Sequence, residues 1–131
     1  MDHDDVESAI IARLVTLAGL PHIVNPNVEY TPVEGTPYGR FTNMPGKTGS
    51  YSIGTNDPRY DGIAQIDLFY PAGEGRSAAM TMANDVATHF TAGTALTYGN
   101  VCLTTEPPYL LNSYPDGAWF VVPVRVPYFG G

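Results

Sequence analysis

Residues 73–78, Gly-Glu-Gly-Arg-Ser-Ala, form a turn whose glycine spacing resembles a ligand-binding motif more than any other stretch of this sequence does. It follows a strand pattern and precedes a helix pattern, which is where a loop that binds phosphate through backbone N–H groups belongs. Its Gly-x-Gly-x-x-Ala spacing also fits the permissive form of the dinucleotide-binding fingerprint. A working loop of this kind would make the chain a small nucleotide- or ligand-binding protein.

Three features of the sequence favour a purely structural turn. Glu74 would place a negative charge among the N–H groups that have to receive phosphate. No strand ending in an acidic residue follows about 20 positions later, where a dinucleotide-binding unit has one. No Lys–Ser/Thr pair follows the second glycine, so the turn is not a Walker loop. The turn is better interpreted as a tight strand-to-helix connection, with ligand binding as a remote alternative.

The other reactive side chains form no catalytic or metal-binding pattern in the sequence. His3, His22 and His89 lie far apart, so a zinc site would need ligands from widely separated segments. Cys102 is the only cysteine and has no evident histidine partner, and we expect it to be a small buried core residue. We therefore expect no enzyme activity, no metal and no cofactor.

The composition indicates one globular domain spanning residues 1–131. The chain is 44% hydrophobic, and 14 Gly and 12 Pro predict many turns. A net charge of −7 argues against a nucleic-acid grip based on phosphate neutralisation, although DNA can still pass an acidic protein without being bound. The acidic N-terminus does not resemble a secretory signal, and no apolar run reaches the roughly 20 residues that cross a bilayer. We expect a chain that folds in the cytoplasm and has no membrane partner.

Hydrophobic periodicity predicts two helices and several strands. A first helix over residues 4–18 has Val6, Ile10, Leu14 and Leu17 in its buried stripe, and a second helix begins at Ser77. An alternating strand over residues 62–70 leads directly into the second helix. Further strands are predicted over residues 28–31, 37–43, 99–106 and 117–129. Because no strand–helix–strand repeat is present, we predict an α+β domain, a mostly antiparallel sheet flanked by two helices.

The last predicted strand, residues 117–129, contains two prolines. Pro123 and Pro127 are both at odd positions, so their missing N–H groups face the same side of the strand. The strand is therefore predicted to lie at the edge of the sheet or to contain a bulge.

Two long segments are predicted to be irregular. Residues 44–59 form either a mobile hairpin or, as we favour, an arm that contacts a partner, because loops of this length are uncommon unless they have a function. Residues 106–116 contain large side chains that we expect to be exposed, at Tyr109, Leu110, Leu111 and Tyr114. This second loop either folds back onto the core or forms an interface patch.

Three segments of the chain carry a family resemblance. They are PNVEYTPVEGTPYGRF at residues 26–41, RYDGIAQIDLFYPAGEGRSAA at residues 59–79 and GAWFVVPVRVPY at residues 117–128. Together they resemble the tail terminator-like proteins of long-tailed bacteriophages. None of the three is catalytic, so the resemblance rests on their co-occurrence and order over nearly the whole chain.

The resemblance implies a structural virion protein at the head-proximal end of the tail, assembled in the host cytoplasm. Such proteins form a ring, typically a hexamer, that caps the finished tail tube, ends its polymerisation and presents the surface that joins the head. The implied partners are other copies of the chain, the tail tube protein and a head–tail connector or neck protein. Six copies at −7 each would carry −42, and an acidic channel would let DNA slide through without specific binding.

The resemblance also gives candidate assembly roles to particular residues. Contacts with the tube or neck would come from the arm (Lys47, Tyr51, Arg59) and from the second loop (Tyr109, Leu111, Tyr114). A neighbouring subunit would contact Trp119 and Arg125, and the polar strand positions Arg40, Gln65 and Asp67 would also face a partner. Another neck protein, such as a head-completion subunit, is the main alternative.

Overall fold

The computed structural model describes residues 3–24, 29–33, 35–45, 60–73, 77–98 and 101–130. Its helices are α1 (His3–Leu14) and α2 (Ser77–His89). Its strands are β1 (His22–Val24), β2 (Tyr38–Pro45), β3 (Tyr60–Pro71), β4 (Ala95–Tyr98), β5 (Val101–Thr105), β6 (Tyr109–Leu110), β7 (Tyr114–Asp116) and β8 (Trp119–Gly130). The strands predicted over residues 37–43, 62–70 and 99–106 correspond to β2, β3 and β5.

The strands form one sheet in the spatial order β1-β2-β3-β8-β5-β4, and β6 and β7 also pair with β8. Every pairing is antiparallel except the parallel one between β1 and β2. The apolar stripes of both helices belong to one core cluster with the sheet. The predicted α+β class, a mostly antiparallel sheet with two helices, is confirmed.

The alternation of side chains in β3 decides which face of the sheet becomes the core. Ala64, Ile66 and Leu68 are fully buried, and Ile66 pairs in register with the buried Val124 of β8. Each fully buried aliphatic side chain of this size contributes about 1.5–3 kcal/mol. The helices cover this layer with alanine-rich and branched side chains, among them Ile10 of α1.

Helix α1 ends at Leu14 rather than at residue 18. The N–H groups of Thr16 and Leu17 donate to the carbonyls three residues before them, at 3.2 and 3.1 Å, which tightens the chain out of the α-helix. Gly19 then adopts a φ of +79°, a left-handed conformation that suits glycine. Leu17 still packs against the core, so the predicted buried stripe is kept although the helix is shorter.

Reciprocal hydrogen bonds join the end of α1 to the end of α2. Arg13 donates from Nε and Nη2 to the backbone carbonyl of His89, at 3.1 and 3.0 Å. The Nε2 atom of His89 lies 2.8 Å from the carbonyl oxygen of Arg13. A carbonyl oxygen only accepts, so this contact is a hydrogen bond in the tautomer that carries a proton on Nε2. The Arg13 side chain therefore joins the two helices within the fold.

The prediction that the last strand lies at an edge is wrong, because β8 is a central strand. It pairs with β3 on one side and with β5, β6 and β7 on the other. On that second side, Leu111 N–H donates to the Pro123 carbonyl at 3.0 Å and Glu106 N–H to the Pro127 carbonyl at 2.8 Å. A proline has no N–H to return the bond. The prolines therefore divide the pairing into three short strands and do not abolish it.

Residues 106–116 are not the irregular loop that the sequence predicted, because they contain β6 and β7. The register slips at each interruption. From Thr105 to Tyr109 the chain advances four residues while β8, from Tyr128 to Arg125, advances three. Such an extra residue is the defining feature of a β-bulge, and here it lies in the partners of β8.

The remaining differences concern short or exposed elements. Of the strand predicted over residues 28–31, the described residues 29–31 belong to no strand, and β1 lies beside β2 instead. Strand β4 was not predicted and forms a hairpin with β5. Cys102 is exposed, because Leu103 and Thr105 take the inward positions of β5. Residues 46–59, most of the predicted arm, lie outside the described residues.

Tyr128 connects β8 to β2 across the surface of β3. Its hydroxyl donates to Asn43 Oδ1 at 2.6 Å, and its ring lies directly over Gly62. A Cβ atom at Gly62 would lie 2.6 Å from Tyr128 Oη, 2.8 Å from Cζ and 3.0 Å from the backbone carbonyl oxygen of Met44. Only a residue without a side chain fits beneath this ring.

We predict that Gly62→Ala lowers the free energy of unfolding by about 1–3 kcal/mol, because the buried ring cannot move away without losing its hydrogen bond to Asn43. Urea unfolding followed by circular dichroism measures the change. The control is the same substitution in a Tyr128→Phe background, where the penalty should be smaller because the nearest atom is gone. An equal penalty in both backgrounds would contradict the proposed contact with Oη.

Candidate assembly surface

The sheet face opposite the two helices, called the outer face below, carries the polar residues of the central strands. Side chains paired across neighbouring strands share a face. Arg40 pairs with Asp67, and Arg125 pairs with both Gln65 and Tyr109. Four of these positions alternate with buried core residues, and Tyr109 alternates with Leu110, which packs against the core, so all five side chains belong to the outer face.

A chain of hydrogen bonds runs across the outer face from β8 to β3. Arg125 Nε donates to Gln65 Oε1 at 2.8 Å, and Gln65 Nε2 donates to Asp67 Oδ1 at 2.8 Å. The side-chain amide of Gln65 therefore bridges Arg125 and Asp67. Its oxygen has to face the arginine donor and its nitrogen the carboxylate, which fixes the orientation of the amide. Arg40 lies opposite Asp67 on β2 and adds a second positive charge.

The ionised form of the Asp67 carboxyl is disfavoured in the folded protein. Burial raises the pKa of the Asp67 carboxyl above its ordinary value, and the hydrogen bond from Gln65 and the charges of Arg125 and Arg40 offset only part of that effect. Removal from water is therefore the dominant influence on this carboxylate.

Aromatic rings occupy the other half of the outer face. Tyr38 stacks on Phe69 with ring centroids 4.5 Å apart, and Trp119 meets Tyr38 edge-on at 5.1 Å. Tyr30, in the segment before β2, packs against Tyr38 at 5.1 Å and against His22 at 5.3 Å. The contacts of Tyr38 with Phe69 and Trp119 are stacked and edge-on, and the two contacts of Tyr30 are tilted. The cluster anchors the segment before β2 on this face.

Two tyrosines stand out from the surface beside the polar chain. Tyr109 of β6 is 40% exposed and Tyr114 of β7 is 46% exposed. Partial burial raises the pKa of the Tyr114 hydroxyl, and the charges of Asp67 and Asp116 raise it further. Leu111 lies between the two short strands and is only partly exposed. The polar chain and the two tyrosines therefore form one continuous surface.

The structure brings most of the predicted contact residues together. Those on the outer face are Arg40, Gln65, Asp67, Tyr109, Leu111, Tyr114, Trp119 and Arg125. Lys47, Tyr51 and Arg59 lie outside the described residues. Tyr38 and Phe69 were missed, although strand alternation already placed them with Arg40 and Asp67. Whether any of these residues contacts a partner remains a prediction.

A groove of about 360 Å³ opens beside Trp119, and none of the described residues in its lining has a titratable side chain. Its walls are Pro32, Gly35, Pro71, Ala72, Ala118 and Trp119. Prolines and small side chains of this kind support packing contacts and offer no group for acid–base chemistry.

The other sites considered from the sequence add little. Within the described ranges, no three His, Cys, Asp or Glu side chains are grouped as metal ligands. Gly73 has a φ of +92°, consistent with a tight turn, while residues 74–76 of the same turn lie outside the described part. Neither helix in the described part is long and apolar enough to cross a membrane.

Comparisons with known proteins point to one family. A family described as phage tail terminator protein matches residues 5–128. One solved structure superposes with a TM-score of 0.80 at 23% sequence identity, covering 100% of this chain and 96% of that chain. At this identity the likeness shows the fold alone. No curated protein matches the sequence.

We predict that Asp67→Asn leaves the protein at least as stable as the wild type at neutral pH. The folded state disfavours the charged carboxylate, so its cost is present at neutral pH and disappears as the pH falls through the raised pKa. The asparagine Oδ1 can still accept from Gln65. Urea unfolding at several pH values measures this, and the advantage of the variant should shrink on acidification.

The matched control is Asp85→Asn, which removes one negative charge from an exposed position on α2. A clear loss of stability in Asp67→Asn at neutral pH, relative to this control, would mean that attraction to Arg40 and Arg125 outweighs the desolvation of the carboxylate.

Proposed function

The chain belongs to the phage tail terminator family, and we propose that it forms a ring that caps the completed tail tube. In this proposal the ring ends tube polymerisation and presents the surface that the head joins. Membership of the family makes the chain a structural protein of the bacteriophage tail. The proposed position is the head-proximal end of the tail, and the proposed ring is a hexamer.

The observation that carries the proposal is the composition of the outer face. Tryptophan, tyrosine and arginine are the residues most often found at the energetic centres of protein interfaces. Here Trp119, Tyr109, Tyr114 and Arg125 lie on a face that neither helix covers. Such a face supports a role in binding other proteins.

A ring also requires two different surfaces on each subunit. Contacts around a cyclic ring are head-to-tail, so the patch that one copy presents must fit another patch on its neighbour. The sheet gives each subunit two distinct sides, one covered by the two helices and one that neither helix covers. This asymmetry supports a ring better than it supports a two-fold dimer through a single face.

The remaining partners follow from the same proposal. The arm residues Lys47, Tyr51 and Arg59 would contact the tail tube protein or the head–tail connector. The net charge of −7 on each copy would keep the phosphates of passing DNA from adhering to the ring. The ring would then guide DNA without binding it specifically.

We predict that phage lacking this protein make tails longer than normal that do not join heads, because nothing stops the tube from growing. Negative-stain electron microscopy of lysates measures tail length. Tails of normal length beside filled, tailless heads would instead identify a connector protein and would contradict the proposed capping role.

Complementation with two tyrosine variants sharpens the test. Tyr114→Ala removes a 46% exposed tyrosine from the outer face, and Tyr98→Ala removes a 48% exposed tyrosine from β4, away from that face. We expect Tyr114→Ala to restore normal tail length poorly and Tyr98→Ala to restore it fully. Equal rescue by both would argue against the outer face as the working surface.

A further inference from the structure

Positive charge is scarce in this chain. The sequence has six Lys and Arg against thirteen Asp and Glu, so copies that meet in a ring repel one another unless their contact places cations against carboxylates. The described residues include three basic side chains, Arg13, Arg40 and Arg125. Arg13 donates to the His89 carbonyl within the fold. Arg40 and Arg125 are therefore the described cations that remain for a partner.

Both arginines lie on the outer face, on either side of β3. Their strands are two strand spacings apart, about 10 Å. Asp67 lies between them in the ladder and carries one negative charge against their two positive ones. Arg125 donates only its Nε–H to Gln65, so the other four of the five N–H donors of Arg125 remain for a partner. We call Arg40 and Arg125, with the flanking Tyr109 and Tyr114, the arginine patch.

The densest acidic segment of the chain lies elsewhere. Four of the first seven residues are acidic: Asp2 precedes α1 in the sequence, and Asp4, Asp5 and Glu7 belong to the first turns of α1. Asp5 and Glu7 are partly exposed. Because α1 packs on the helix side of the sheet, its Asp5 and Glu7 and the arginine patch belong to opposite sides of one subunit. They are thus two separate, oppositely charged surfaces.

We infer that the acidic start of α1 in one copy docks on the arginine patch of the next copy. The inference rests on the proposed ring and names the contact that closes it. Guanidinium groups bind carboxylates through paired N–H···O bonds, and the neighbouring tyrosines exclude water and strengthen those bonds. The contact is head-to-tail, because the arginine patch and the start of α1 are different surfaces. It brings carboxylates to two cations of the described residues, Arg40 and Arg125.

A mixing experiment with two charge-reversed variants tests the contact. Variant one carries Arg40→Glu and Arg125→Glu, and variant two carries Asp4→Lys, Asp5→Lys and Glu7→Lys, which change the side-chain charge of the first seven residues from −4 to +2. In a solution of one variant alone, the patch and the start of α1 that meet carry charges of the same sign. We therefore expect the protein concentration at which half of the chains are assembled to rise about ten-fold or more. In an equimolar mixture, each contact again joins opposite charges, so rings of alternating variants should form at the wild-type concentration.

Sedimentation velocity in the presence of short tail tubes measures ring assembly, with Asp85→Lys on α2 as the control for a reversed charge away from the contact. Restored assembly in the mixture also shows that both variants fold. Wild-type assembly by variant one alone, or no recovery in the mixture, would overturn this contact while leaving the ring intact. A wild-type chain that forms no ring with tubes would overturn both the contact and the proposed function.

Discussion

The antiparallel ladder between β3 and β8, twelve residues in each strand, is the interaction on which the rest of the structure depends. It pairs Ile66 with Val124 in the core, and both helices cover that layer. Because side chains along a strand alternate, the same ladder sends Gln65 and Arg125 to the opposite face. A slip of one residue would exchange the two sets. The stability of the core and the composition of the outer face are therefore set by one register.

The two prolines of β8 determine how the second half of the sheet is built. Pro123 and Pro127 can accept but not donate on the side facing β5, β6 and β7. The chain meets this limit with three short strands separated by extra residues, which carry Tyr109 and Tyr114 to the outer face. Among the described strands, the edges of the sheet are then the short strands β1, β4, β6 and β7, and short edges reduce unwanted pairing with other chains. The prolines thus shape the candidate surface from within the sheet.

The parts of the fold that follow local periodicity could be predicted from the sequence, and those that depend on distant pairing could not. The buried faces of α1, α2 and β3 have strong periods of 3.6 or 2. Strands β6 and β7 have two and three residues, too few to show a period, and they exist because β8 offers them partners. The prediction that Cys102 is buried is wrong because it followed from the residue type alone. The alternation along β5 already puts Cys102 and Leu103 on opposite faces of the sheet.

The candidate surface was predictable to the same extent. Strand alternation alone places Arg40 with Tyr38, and Gln65 with Asp67, on polar or aromatic faces. Their union into one surface with Tyr109 depends on the register of β2, β3, β6 and β8, which no local pattern contains. Held on strands, the chain Arg125–Gln65–Asp67 is ordered before a partner arrives. Ordering a flexible side chain on binding costs about 0.5–1.5 kcal/mol, so the internal hydrogen bonds would reduce the entropic cost of the proposed assembly.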